Sequence, residues 1–298
     1  MNPLRSILVA TDLSAHAERA SRRGALLAEQ HGSSLELLLV TDEAAWQRVD
    51  QGFGPLAGGL SRTWQDTVKG ELEALVEHLR EHSAIEVTTS LRTGRPTREI
   101  ADAARSADLL ILGAQGEHPW RDLFIGTTAD RLLRKAPCPM LVTKHAPLRR
   151  YERVLVPVEL DATRDSAALR AALVIAPDAQ FVMVHATDFP FEGKMDLAGV
   201  PQIEIDRYRD GVRVRAREQL EATVAACAGA AGRSVVIVAA GDPGRVVADE
   251  AVTAEADLVV MFKQGQSVVE ELFLGSVTRH VLSEARCDVL VLPRATEV

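Results

Sequence analysis

The sequence predicts an α/β chain of two tandem, doubly wound domains, each a five-stranded parallel sheet with helices on both faces. Three observations carry this expectation. The chain has 298 residues, about twice the length of a common domain. Its second half repeats landmarks of the first. Within each half, short β-branched and leucine-rich runs alternate with longer amphipathic segments, the pattern of parallel strands joined by crossover helices.

The repeat is read from matched segments. Ile7-Leu-Val-Ala-Thr-Asp12 matches Val154-Leu-Val-Pro-Val-Glu159, and Gly94-Arg-Pro-Thr-Arg-Glu-Ile100 matches Gly241-Asp-Pro-Gly-Arg-Val-Val247, both at an offset of 147. Further on, Ala107-Asp-Leu matches Ala256-Asp-Leu, Gly116 matches Gly265, Gly126 matches Gly275, and the run from Cys138 to Val142 matches that from Cys287 to Val291, all at 149. The first copy is expected to run 1–145 and the second 152–298, joined by a basic, proline-bearing linker from Lys144 to Glu152.

In the first copy the strands are expected near 5–10, 34–41, 85–91, 108–113 and 139–143, with helices near 14–31, 63–82, 96–106 and 127–136. The second copy repeats this order. Residues 42–62 hold Gly52, Gly54, Pro55, Gly58 and Gly59 and read as a loop; the glycines do not open a helix after a strand, so they form no dinucleotide fingerprint.

Composition narrows the function classes. Hydrophobic residues make up 47% and charged ones 26%, enough apolar material for two cores. The formal net charge of −8 repels polyanions, and the arginines at 149, 150 and 153 and between 207 and 217 read as a linker and a solvated helix face, so no nucleic-acid partner is expected. No run of about 18 apolar residues occurs, nor a leader-like start, so the expected setting is cytoplasmic with no membrane partner. The cysteines, Cys138, Cys227 and Cys287, are too scattered for a disulfide framework or a zinc site and are expected to be packing residues.

One segment carries a phosphate-binding pattern. The strand Asp108 to Gly113 runs into Gly113-Ala-Gln-Gly116, then nine residues, then Gly126-Thr127-Thr128 opening a helix. Glycines let backbone approach an anion, and the N–H groups and dipole of a helix start favour negative charge. Asp12 follows the first strand, where it can meet a ligand or, like Ser14, cap the next helix.

The spacing Gly-x2-Gly-x9-Gly-Thr after a strand and before a helix, with Asp12 and the closing Cys-Pro-Met-Leu-Val run, resembles the ATP-binding universal stress proteins over almost the whole chain. The resemblance implies an adenine nucleotide, ATP or a relative, bound in the first copy. Asp12 and the backbone of Val40 would meet its adenosine part, Gly113 would pass the ribose, and Gly116, Gly126, Thr127 and Thr128 would hold phosphates. Mg or Mn would bridge those phosphates with no protein ligand named. It also implies dimerisation through the last strand of each domain, met here as an internal pseudo-dimer of 139–143 with 287–292, or between chains as a homodimer.

The second copy departs from the pattern. Glu159 stands for Asp12, and Phe262 for Gly113, where its ring is expected to fill part of the site and leave an apolar ligand or none. His185 reads as a core-edge residue. Trp120 and Phe124 read as packing within the motif loop, and Arg121 and Asp122 as a surface pair. No catalytic residue is evident. The expected role is a nucleotide-dependent regulator in the stress response, read by an unknown protein partner, with slow ATP hydrolysis or phosphotransfer as one alternative and a ligand-independent scaffold as another.

Overall fold

A computed structural model of the chain describes residues 3–42, 57–114, 126–135, 137–147, 149–189, 191–263 and 274–293, with backbone alone for 57–65 and 82. The chain divides into two compact units, 2–150 and 151–298.

The N-terminal unit runs β1 (Ser6–Thr11), α1 (Ala15–His31), β2 (Ser34–Thr41), α2 (Ala57–His82), β3 (Val87–Thr93), α3 (Pro96–Ala103) with a 3-10 turn over Ala104–Ser106, β4 (Leu109–Gly113), α4 (Thr127–Lys135) and β5 (Met140–Thr143). Its strands lie in the order β3-β2-β1-β4-β5 and every pairing is parallel. Each connection is therefore a crossover, and helices cover both sides of the sheet.

The C-terminal unit repeats this: β6 (Arg153–Pro157), α5 (Ala162–Ile175), β7 (Gln180–Thr187), α6 (Glu192–Leu197), α7 (Gln202–Ala226), β8 (Ser234–Ala240), α8 (Pro243–Thr253), β9 (Leu258–Phe262), α9 (Ser276–Glu284) and β10 (Asp288–Leu292). Its order is β8-β7-β6-β9-β10, again parallel throughout.

The central strands are buried without alternation, as a sheet covered on both faces requires: Ile7, Leu8 and Val9 are all inaccessible, as are Leu109, Leu110 and Ile111. Helix α1 presses onto them at Gly24, where a Cβ would stand 2.7 Å from Val9 Cγ2 and 3.0 Å from Leu35 Cδ1. The outer strand β3 is instead largely open to water, with Val87 buried and Thr88 and Thr89 both exposed.

Two boundaries differ from the sequence expectation. Helix α2 begins at Ala57, inside the segment read as a loop, and takes in Gly58 and Gly59. Each helical glycine costs about 1 kcal/mol relative to alanine, which a helix of 26 residues tolerates. Strand β3 starts two residues late, because Ile85 N–H turns back to Ser83 O before the ladder begins. Gly52, Gly54 and Pro55 lie outside the described residues.

The arginine-rich helix α7 behaves as a solvated face: Arg207, Arg213 and Arg217 pair with Glu204, Asp210 and Glu221 on the same helix, and Arg209 pairs with Glu192 and Asp206. No helix among the described residues is long and apolar enough to cross a membrane.

Candidate functional site

Both units build the same turn at the carboxyl end of their first strand. Thr11 Oγ1 accepts the N–H of Leu13 at 3.0 Å, and Asp12 Oδ1 accepts that of Ser14 at 3.0 Å. Leu13 is left-handed at φ 63°, and Leu160 repeats it at 61° although Val158 there has no hydroxyl to match Thr11. Such a backbone costs a leucine on the order of 1–2 kcal/mol, and both units adopt it at the same place. Ser14, not Asp12, caps α1, its Oγ accepting Ala17 N–H at 3.2 Å. Asp12 is exposed beyond the strand end, in the place where a ligand would meet it.

Strand register gathers the other residues. Thr11 pairs with Leu39 and Val9 with Ile111, so Asp12, Val40 and Gly113 stand at the carboxyl ends of three neighbouring strands. β1 is where the order reverses, with β2 on one side and β4 on the other. That is the crevice in which open α/β sheets bind ligands.

Gly113 has a packing reason of its own. A Cβ there would lie 2.9 Å from both the carbonyl carbon and the oxygen of His16, in the first turn of α1. Gly126 closes the motif loop, its N–H donating to Ala114 O at 2.8 Å, and its own carbonyl accepts Asp130 N–H at 3.0 Å. As at any helix start, the N–H groups of Thr127, Thr128 and Ala129 have no partner within α4. Gly116, Trp120, Arg121, Asp122, Phe124 and, in the second copy, Gly265 lie outside the described residues.

The second copy keeps the frame and changes the lining. Gly275 N–H donates to Lys263 O at 3.1 Å, as Gly126 does to Ala114. Thr278 Oγ1 lies within hydrogen-bonding distance of the carbonyls of Phe262 and Lys263, at 3.1 and 3.2 Å. Phe262, expected to fill part of the site, lines what is left of it. A cavity of about 410 Å³ remains, bounded by the ends of β6, β7 and β9 and the first turns of α5, α8 and α9. The Arg164 guanidinium lies over that ring, 5.0 Å from its centroid, and 4.0 Å from the Glu159 carboxylate. His185 also lines the cavity. Its Nδ1 is 3.0 Å from Val158 O, and since a carbonyl only accepts, that bond places a proton on Nδ1.

Sequence reading missed Asp165 altogether. It is 3% exposed, in the wall of this cavity. Its Oδ1 accepts Glu159 N–H at 3.1 Å, while Oδ2 has no hydrogen-bond partner. Burial pushes the carboxyl up to about 6, reinforced by the charges of Asp161 and Glu159 and opposed by the Glu159 N–H. The signal lay in the repeat. Glu18, at the matching position, pairs with Arg22 one turn later at 2.6 Å, and Arg22 is replaced by the buried Leu169 in the second copy.

Other repeated residues are structural. Asp108 Oδ2 accepts the N–H groups of Arg5 and Ser6 at 2.9 and 3.0 Å, and Asp257 accepts those of Glu152 and Arg153 at 2.7 and 3.2 Å. These carboxylates clamp the amino ends of β4 to β1 and of β9 to β6, away from the crevice. The three cysteines are buried and in no disulfide, and burial raises the Cys138 thiol to about 11.

The comparisons agree with this architecture. The model of the Universal stress protein family matches twice, over residues 3–144 and 150–293. A universal stress protein of Thermus aquaticus is 32% identical over 132 residues, covering 44% of this chain and 90% of that protein. Universal stress protein E of Escherichia coli is 24% identical over 191 residues, 61% of this chain and 60% of its own length. Among solved structures, a universal stress protein from Archaeoglobus fulgidus superposes with a TM-score of 0.65 at 17% identity, covering 97% of this chain and 98% of that one. With one family match in each of its two α/β units, the chain belongs to the universal stress protein family as a tandem member.

Proposed function

We propose that the N-terminal half binds ATP, or a related adenine nucleotide, and that the chain acts as a stress-response regulator whose occupied state is read by a protein partner. One observation carries the reading: Asp12, Val40, Gly113 and the first turn of α4 converge where the strand order reverses. The Asp12 carboxylate suits a ribose or adenine donor, and the N–H groups of Thr127 and Thr128 in the first turn of α4 suit phosphate oxygens. Among the described residues no cluster of acidic, histidine or cysteine side chains is built to hold a metal by itself. Mg²⁺ or Mn²⁺ would come with the nucleotide, carried by its phosphates and water. Pairing of the closing strands β5 and β10 as an internal pseudo-dimer, and a cytoplasmic setting, belong to the same reading.

The test is to purify the chain without added nucleotide, denature it, and identify what is released by chromatography and mass spectrometry. Close to one adenine nucleotide per chain, absent from Gly126→Trp, supports the reading. An empty protein that also takes up no ATP in the presence of Mg²⁺ overturns it. Phosphate release above the Gly126→Trp control would move the chain toward a slow hydrolase.

A further inference from the structure

We propose that two copies of this chain join edge to edge through β8, the outer strand of the C-terminal unit, as a two-fold symmetric dimer. β8 pairs with β7 on one side only. Phe181 N–H donates to Arg233 O and Gly241 N–H to Thr187 O, so the odd-numbered residues of the strand turn their backbone groups toward β7. The N–H and C=O groups of Ser234, Val236, Val238 and Ala240 therefore point outward, and among the described residues they meet no backbone partner. Such a row is a template for another strand, and proteins usually blunt it with charge or proline. β8 carries neither. Its residues, Ser234-Val-Val-Ile-Val-Ala-Ala240, are uncharged and mostly β-branched, and Val235 is 60% exposed. The matching strand of the first copy is blunted: in β3, Arg92 stands where β8 has Ala239, and threonines stand where it has Val235, Val236 and Ala240.

Symmetry and charge select a second copy as the occupant. Laid antiparallel on itself over its full length, Ser234–Ala240 has Ile237 on the two-fold axis. Ser234 then faces Ala240 and Val236 faces Val238, so that each outward N–H and C=O meets an outward group of the copy. Val235 lies opposite Ala239, a large side chain beside a small one. The strand's ends are complementary as well. Arg233 precedes it, with a guanidinium bonded to the carbonyls of Gly229 and Ala179 and to no carboxylate among the described residues, and Asp242 follows it. The antiparallel register sets the arginine of each chain beside the aspartate of the other. A head-to-tail pairing of β8 with β3 would instead leave an edge free at each end and grow into filaments. The β8 dimer is independent of nucleotide binding and uses neither closing strand, β5 or β10.

Sedimentation of the full chain over a range of micromolar concentrations tests this, and a reversible dimer of twice the chain mass is expected. Val238→Pro removes an outward donor and no bond to β7, a place where an edge strand accepts proline, and should raise the dissociation constant at least tenfold. Val235→Lys, an edge charge at an exposed position, should do likewise, with urea midpoints checking that both variants fold. Leu91→Pro, the matching change in β3, should leave the dimer intact. The register has its own readout, since the native cysteines are buried. Ile237→Cys should give a disulfide-linked dimer on mild oxidation, because the two Cα atoms of that facing pair stand about 4.5 Å apart; Val235→Cys, about 14 Å from its copy, should not. A monomer at every concentration, assemblies that grow past the dimer, or cross-linking through Val235→Cys but not Ile237→Cys would each overturn the proposal. So would a dimer that both β8 variants leave unchanged, as one made through β5 and β10 would be.

Discussion

Replacing Asp165 by asparagine should make the C-terminal unit more stable at neutral pH than at acid pH, relative to the parent chain. In the folded protein the carboxyl is raised from 3.8 to about 6, first by burial. A shift of about 2 pH units, at roughly 1.4 kcal/mol per unit, corresponds to about 3 kcal/mol. The sign follows from which state holds the proton more tightly. Here it is the folded state, so the favourable contribution is full below about pH 4 and is lost as pH rises through about 6. Asparagine keeps the acceptor for Glu159 N–H and carries no charge to bury. Its amide donor, placed where Oδ2 was, adds an offset that does not vary with pH. The difference in stability between variant and parent should therefore grow by about 3 kcal/mol in the variant's favour from pH 4 to pH 7. All three tryptophans lie in the first 150 residues, so fluorescence would report the wrong half. Hydrogen exchange in urea, read by mass spectrometry on peptides spanning 153–175, follows the right one. A variant-to-parent difference that is the same at pH 4.5 and pH 7.5 would refute the burial argument.

Gly113→Ala should destabilise the N-terminal unit by roughly 1–3 kcal/mol, because its Cβ meets the His16 backbone rather than a movable side chain; an unchanged urea midpoint would contradict this. Ser14→Ala should cost about 1 kcal/mol through loss of the α1 cap, whereas Asp12→Ala should weaken nucleotide uptake more than stability, a contrast that paired urea and ATP titrations resolve. At pH 8 the Cys138 thiol, raised to about 11, should be thiolate in only about one molecule in a thousand, so native-state labelling by iodoacetamide should be far slower than that of a free thiol; rapid labelling at this residue would show that it is not buried as described.

Much of the fold was legible because it rests on signals the chain repeats. Short unbroken apolar runs such as Leu109 to Leu112, alternating with longer amphipathic segments and repeated in the second copy, read as strands buried on both faces. The placement of Asp12, Val40, Gly113 and Gly126–Thr128 near one another follows from strand order and register, and in the sequence it was legible through the family resemblance. The helical start at Ala57 was hidden because glycine is a weak local signal that a long helix overrides.

The character of the second pocket was decided only by tertiary packing. Phe262 by its identity predicts a site filled in part, and how much space is left beside its ring, which lies under Arg164, is fixed by packing: a cavity of about 410 Å³. Asp165 by its identity is an ordinary first-turn acidic residue. It is buried in the pocket wall, and the position of its matching cation, Arg22 in the first copy, is Leu169 here. Sequence determined the two α/β units and the strand-end positions of their candidate sites, since periodicity and repetition are properties of the chain. Whether a carboxylate pairs outward in water or is buried with one oxygen unsatisfied depends on the partners that folding brings within about 3 Å of it, and those were set by packing alone.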